Sequence, residues 1–326
     1  MSRWPFTRGV HDLGRGLWAY LQPTGTWGWS NAGLVTDGDE ALLVDTLFDE
    51  RLTAEMLHAL KNATGFGADD IGTLVNTHSN GDHTFGNRLA RKAVIVASAA
   101  TAHEMAHEAP PAMLAELMKN AASMGKVGEF FQRIFGAFDF AGVTLRLPDR
   151  TFSGEERVLV GDKEVHLIEV GPAHTAGDVI VHVPADRVLF TGDILFVDGA
   201  PIAWAGPVAR WIAACDRILA MDVEVIVPGH GPICEKTAVR RMRDYLAHVE
   251  REARKRHAAG LSSWEAAQEI ALDSFASLPD GERIAVTVDT IYREIEADES
   301  PRDVVELFGR MVRLEARFAA AARPAT

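Results

Sequence analysis

The chain is poor in cysteine, in basic charge and in long apolar runs, and each shortage closes off a class of function. Only two of its 326 residues are cysteines, Cys215 and Cys234. Two thiols in a chain this long do not make the disulfide framework of a small secreted domain, so reduced thiols are expected. Lysine and arginine number 33 against 46 aspartates and glutamates, a formal net charge of −13. Nucleic-acid binders usually show a basic face, so the expected partner is a small-molecule substrate and not a nucleic acid. No stretch of about 18 apolar residues occurs, so no membrane span is expected. The N-terminal stretch MSRWPFTRGVHDLG lacks the apolar core of a signal peptide, which makes the cytoplasm the expected location. The remaining composition, 47% hydrophobic and 24% charged, suits a globular protein with a sizeable core.

Strand-like and helix-like patterns alternate along the chain. LWAYLQ, NAGLVTD and ALLVDT read as three strands, the last two joined by the turn-forming TDGDE. DERLTAEMLHALKNAT reads as an amphipathic helix. IGTLVNT and AVIVAS read as further strands. Residues 99–138 read as a helical insert of three pieces, with Pro110 and Pro111 separating the first two. Strands return in GVTLRL, in the hairpin RVLVGDKEVHLIEV, in DVIVHVP and in RVLFTGD. A helix over about 208–221 precedes the strand VEVIVPGH. Residues 236–326 read as a helical extension, in which Ser262 and Glu265 form a capping box. Two strand-rich halves are compatible with two packed sheets flanked by helices.

Chemistry-bearing side chains gather at the ends of these strands. LVNTHSNGDHTFGN, residues 74–87, carries His78, Asp82 and His83. His174 stands in GPAHTAGD, Asp193 in LFTGDILF and His230 in IVPGHGP. Glycine or proline lies close to each, where backbone turns sharply and side chains are presented at a sheet edge. Neutral imidazole and carboxylate are good ligands for zinc and similar divalent metals. Crowded together without a cation, such groups repel one another or stay unpaired. Metal binding therefore explains the set better than six unrelated turn residues.

The ordered set resembles the metallo-β-lactamase fold superfamily. Its first motif, His-x-His-x-Asp-His, stands here as His78-Ser79-Asn80-Gly81-Asp82-His83, followed by AHTAGD, TGD and PGHG. The resemblance runs from about residue 14 to 235. It leaves 99–138 as an insert and 236–326 as a C-terminal extension packed on the same domain. It implies an α/β fold: an αββα sandwich of two mixed sheets flanked by helices, with the metal site at one edge. It also implies one metal held by His78, position 80 and His174, a second held by Asp82, His83 and His230, and Asp193 bridging them. Asn80 departs from the motif, because a carboxamide offers a metal only a neutral carbonyl oxygen. Three readings stay open. The first site is weaker than the second, or it prefers manganese or iron to zinc, or Asn80 bonds substrate or water instead of metal.

The resemblance implies a hydrolase in which a metal-activated hydroxide attacks an ester, thioester or lactone carbonyl. Asp82 and Asp193 are then the candidates for orienting it and moving protons. GTWGWSNAGLVTDGDEALLVDTLFDERLTAEML followed by NTHSNGDHTFGN is also similar to a group associated with aromatic polyketide cyclases and thioesterases. There the same site would promote an aldol-type ring closure. A metal-binding protein without turnover is a third reading. β-Lactam hydrolysis ranks low, because the zinc β-lactamases differ at the bridging position and are exported. Trp27 and Trp29 either pack under a hairpin or form an aromatic wall for substrate. The methionines and phenylalanines of 99–138 pack among themselves, form a lid or make a homodimer contact. The string HEMAH, residues 103–107, matches the zinc-protease motif, but no downstream ligand follows and the prolines cut its helix. It is set aside.

Overall fold

The structure is a computed structural model that describes residues 4–107 and 109–321. The first three residues of the N-terminal stretch, Glu108 of the insert and residues 322–326 of the C-terminal extension lie outside the described residues. Among the described residues, no helix is long and apolar enough to cross a membrane.

One sheet is built from β1 (Gly9–Gly14), β2 (Leu17–Leu21), β3 (Ala32–Asp37), β4 (Glu40–Val44), β5 (Thr73–Val75), β6 (Val94–Ser98) and β7 (Arg150–Phe152), in chain order across the sheet. Its first four strands pair antiparallel and its last four parallel. The other sheet is built from β8 (Glu155–Val160), β9 (Lys163–Glu169), β10 (Val179–Val183), β11 (Val188–Phe190) and β12 (Val225–Val227). Its order is β12-β11-β10-β9-β8, antiparallel except for the parallel pair β11 and β12. The helices are α1 (Glu50–Thr64), α2 (Gly81–Thr84), α3 (Ala99–His107), α4 (Pro111–Asn120), α5 (Gly125–Phe135), α6 (Val208–Ala220), α7 (Lys236–Ala258), α8 (Ser263–Glu269), α9 (Ile284–Glu296) and α10 (Val304–Ala321). Two mixed sheets flanked by helices is the expected α/β sandwich.

Both faces of the central strands are buried, which is why they read as near-continuous apolar runs. Leu42, Val44, Val75 and Val96 belong to one cluster with Val165, Leu167, Val181 and Phe190 of the other sheet. The alternate residues Leu43, Leu74 and Ile95 join a second cluster formed with the helices. Each such side chain contributes roughly 1.5–3 kcal/mol on burial. The sheets pack tightly at Gly33, where an added Cβ would lie 2.3 Å from Phe190 Cε1. The C-terminal helices share the second cluster through Tyr245, Leu246, Ile284, Ile291 and Met311. The Ser262–Glu265 capping box opens α8.

Three strand assignments, GVTLRL, β7 and β1, differ from the expectation. GVTLRL is not a strand. Val143 and Leu145 rest half-buried on the core, and Arg146 donates to the carbonyls of Ala90 and Ala93 at 2.9 and 2.8 Å. Side-chain anchors replace a ladder there, and β7 follows it. Conversely β1 has no alternating apolar signal, because GVHDLG is a half-exposed edge strand with glycine at both ends.

Candidate metal centre

The parallel strands β4, β5 and β6 end at one edge, where open α/β sheets present ligand sites. Asp45 follows β4, and Thr77 and His78 follow β5. From the other sheet, Asp193 follows β11 and His230 follows β12, while His174 lies on the loop between β9 and β10. Asn80 precedes α2, whose short turn carries Asp82 and His83.

The structure brings all seven expected residues together around the Asp193 carboxylate. Its Oδ2 lies 3.4 Å from His174 Nε2, 3.4 Å from His230 Nε2 and 3.7 Å from His78 Nε2, and its Oδ1 lies 3.2 Å from His83 Nε2. Asp82 Oδ2 lies 3.2 Å from His230 Nε2 and 3.9 Å from His83 Nε2. Backbone packing is tight: a Cβ on Gly229 would fall 2.0 Å from Asp193 Oδ1. Gly192, at φ +50°, passes Thr77 so closely that a Cβ would meet its Oγ1 at 2.4 Å.

Proton positions in this cluster follow from burial and charge. Burial, then the charge on His83, holds His78 well below the usual imidazole range. Burial also opposes charge on His230, but Asp193 and Asp82 push it up to about 9. For Asp193 burial favours the neutral acid, and His230, His83 and His78 outweigh it, so its carboxyl lies well below the ordinary value.

Among the described residues, His78 Nε2, His83 Nε2 and Asp193 Oδ1 are buried without a hydrogen-bond partner. Such orphans are costly in a protein interior. The donor atoms of His78, His83 and Asp193 lie within 4.8 Å of one another, as do those of Asp82, His83 and His230. Imidazole nitrogens and carboxylate oxygens converging at this spacing are what a divalent cation fits.

Asn80 stands at 2.8 Å from His174 through its Oδ1 and the ring Nε2. The other ring nitrogen, Nδ1, lies 2.6 Å from the Ile202 carbonyl and must donate to it. Burial pushes the His174 imidazole down, toward the neutral form with a lone pair on Nε2. Two lone pairs at that spacing repel each other, and a cation shared between Asn80 Oδ1 and His174 Nε2 would relieve that repulsion. The alternative is a turned amide that donates to Nε2.

Three supporting carboxylates were not legible as such in the sequence. Asp45, at φ +62°, accepts from Thr77 N and Oγ1 at 2.7 Å each and from His83 Nδ1 at 2.9 Å. Asp178 accepts from Ala173 N, Thr175 N and Thr175 Oγ1, pinning the His174 loop. Glu104, inside the HEMAH string, accepts from Ser79 Oγ at 3.1 Å and Ala176 N at 3.0 Å, so it ties α3 to both ligand loops. Its neighbours His103 and His107 are exposed. An aspartate closing an apolar strand was the only sequence signal for Asp45.

A cavity of about 490 Å³ opens on the cluster and touches Asn80, Asp82, His174, Asp193 and His230. Trp27 lines it, packed edge-on against Phe130 and Phe135. Trp29 is not among the residues lining it, and its ring packs 4.8 Å from that of Phe138, so of the two readings left open for this pair Trp29 follows packing and Trp27 meets the cavity. A second cavity of about 500 Å³ shares Phe196 and touches none of the seven residues.

Comparison with known proteins agrees with this geometry. A family model described as the metallo-beta-lactamase superfamily matches residues 25–230. The alpha subunit of 2,4-dinitroanisole O-demethylase from Nocardioides sp. (strain JS1661) is 26% identical over 205 residues, 60% of this chain and 51% of that one. Hydroxyacylglutathione hydrolase from Fuscovulum blasticum is 32% identical over 101 residues, 30% of this chain and 38% of that one. Acyl-coenzyme A thioesterase MBLAC2 of Gallus gallus is 27% identical over 89 residues, 26% of this chain and 31% of that one. The chain thus spans about half or less of the length of these relatives. Among solved structures, the sec-alkylsulfatase Pisa1 from Pseudomonas sp. superposes with a TM-score of 0.68 at 18% identity, over 92% of this chain and 53% of that one. A metallo-beta-lactamase from Pontibacter korlensis superposes with a TM-score of 0.55 at 20% identity, over 74% of this chain and 99% of that one. These likenesses are of fold.

Proposed function

This chain belongs to the metallo-beta-lactamase superfamily, and we propose that it is a metal-dependent hydrolase acting at the carbonyl of a small ester, thioester or lactone. The observation that carries this reading is the convergence of four imidazoles on Asp193, with buried nitrogen and oxygen atoms left unpartnered at the floor of a cavity. Two of the relatives are hydrolytic by name, a hydroxyacylglutathione hydrolase and an acyl-coenzyme A thioesterase.

His78, His174 and Asp193, with Asn80, would hold one cation, and Asp82, His83, His230 and Asp193 another. Zinc fits this nitrogen-rich set, and manganese or iron suits the site that includes an amide oxygen. When bound, such a cation supplies Lewis acidity and brings the pKa of water toward neutrality. The protein's own part is positioning. Asp45 fixes the His83 ring through Nδ1, and the Ile202 carbonyl does the same for His174. Asp82 has the more exposed carboxylate, 14% against 4% for Asp193, and lines the cavity. It is placed to accept a proton from the attacking water. Hydrolysis then adds hydroxyl to the acyl carbon, breaks the C–O or C–S bond and returns the proton to the leaving oxygen or sulfur.

The test is a panel of thioesters, lactones and aryl esters assayed with and without a chelator. Turnover that disappears on chelation and returns with zinc, manganese or iron supports the reading. Turnover indifferent to the chelator, or none on any member, rejects it. The aromatic lining of Trp27, Phe135 and Phe308 favours one other reaction, ring closure of a flat polyketide on the same site. Product mass separates the two: hydrolysis gains a water, and aldol closure with dehydration loses one.

A further inference from the structure

The C-terminal extension places two arginines in the wall of the cavity that opens on the His/Asp cluster, Arg283 and Arg302. Arg283 is 2% exposed. Its guanidinium lies over the Trp27 ring at 4.3 Å and near Phe196 at 5.5 Å. Phe196 in turn stacks parallel on His230 with centroids 5.1 Å apart. The cation is thus two ring contacts from a ligand histidine. Arg283 donates through Nη1 to the Ala200 carbonyl at 2.9 Å and pairs with Asp280 at 3.2 Å, while its Nε is buried without a partner among the described residues.

Arg302 is less well neutralised. Its Nη1 donates to Thr290 Oγ1 at 2.8 Å, and its one ion-pair contact among the described residues is Asp289 Oδ2 at 4.0 Å. Asp289 also serves Arg310 at the shorter distance of 3.4 Å. One carboxylate therefore answers two guanidiniums. Burial weakens the hold of Arg302 on its proton, against the pull of Asp289 and Asp298. A half-buried positive charge with no close carboxylate gains from an anion that reaches it.

We propose that Arg302 and Arg283 form a subsite for an organic anion, so that the substrate is amphipathic: a carboxylate on the arginines, an apolar body against the aromatic wall and the reacting carbonyl at the metal cluster. Guanidinium matches carboxylate in shape and charge, and the pairing selects as well as holds. This deepens the hydrolase reading and rests on it for the third element alone; the anion subsite stands whether or not the reaction is hydrolysis.

The test is a matched pair of non-reacting probes, 4-phenylbutyrate and 4-phenylbutan-1-ol, titrated calorimetrically into the full chain with its metal. The wild-type protein is expected to bind the carboxylate at least ten-fold more tightly than the alcohol. Arg302→Gln is expected to lose at least five-fold in carboxylate affinity with alcohol affinity unchanged, while Arg302→Lys keeps part of the preference. Equal binding of the two probes by the wild type overturns the proposal, and needs no variant. So does an undiminished preference in folded Arg302→Gln and Arg283→Lys, which would place the carboxylate on the metal. Turnover measures the other reading separately. Carboxylate binding through Arg302 without hydrolysis of any ester sinks only the hydrolase. Equal hydrolysis of neutral and carboxylate-bearing esters, with equal probe binding, sinks only the subsite.

Discussion

Asp45 Oδ2 lies 2.9 Å from His83 Nδ1, and the same carboxylate takes two hydrogen bonds from Thr77, next to His78. One buried side chain therefore holds two points of the segment that carries His78 and His83. Burial pushes the Asp45 carboxyl up, and His83 counteracts it. Asp45→Asn keeps the volume but sets an amide of no charge against the His83 N–H. We expect metal affinity to fall about 10–100-fold, the usual cost of removing such a partner, with the melting of the metal-free protein shifted little. Competition against a chromogenic chelator measures it; unchanged affinity contradicts the role given to Asp45.

Asn80 makes the two halves of the centre unequal. The side of Asp82, His83 and His230 keeps strong ligands, while the side of His78 and His174 has an amide in the motif's middle histidine position. Metal counting after graded dialysis should show one cation leaving before the other. Asn80→His should close that gap. Two zincs lost in parallel from the wild type would refute the inequality.

Gly229 has no room for a methyl group, since a Cβ would press on Asp193 Oδ1. Gly229→Ala should displace the Asp193 carboxylate and lower metal content and turnover by ten-fold or more, with helix content retained by circular dichroism. Full occupancy in this variant would show that Asp193 is dispensable for binding.

Asp178 offers a pH test away from the ligands themselves. Burial pushes its carboxyl up to about 8, against an ordinary 3.8. Between those values the folded protein holds a proton that the unfolded chain releases. Stability from this group is full below the lower value and is lost as pH rises through the upper one, by up to about 1.4 kcal/mol per pH unit. Asp178→Asn cannot titrate, so its deficit relative to wild type should shrink from pH 5 to 8. A constant difference across that range, measured by denaturant titration of the metal-free proteins, contradicts it.

The sandwich and the candidate metal centre were legible for one physical reason. Strands buried on both faces must be apolar, so His78, Asp82, His83, His174, Asp193 and His230 stand out at their ends beside glycine and proline. Of the supporting residues only Asp45, closing an apolar strand, carries that contrast. Asp178 looks like any turn aspartate, and Glu104 lay inside a motif that pointed elsewhere. Arg283 and Arg302 come from a helical extension whose pattern says nothing about which face meets the cavity. Trp27 and Trp29 are two residues apart in a glycine-rich turn, and only the packing of Phe130, Phe135 and Phe138 separates the one that lines the cavity from the one that does not. The edge strand β1 is half-exposed and polar, so alternation could not reveal it.

The most direct test is anomalous diffraction from crystals of the full chain grown with zinc, with data on both sides of the zinc edge. The account predicts a peak among His78, His83, His174, His230 and Asp193, with the orphan Nε2 atoms pointing at it. Crystals in which those nitrogens bond only to protein or water, with no anomalous signal between them, would contradict it.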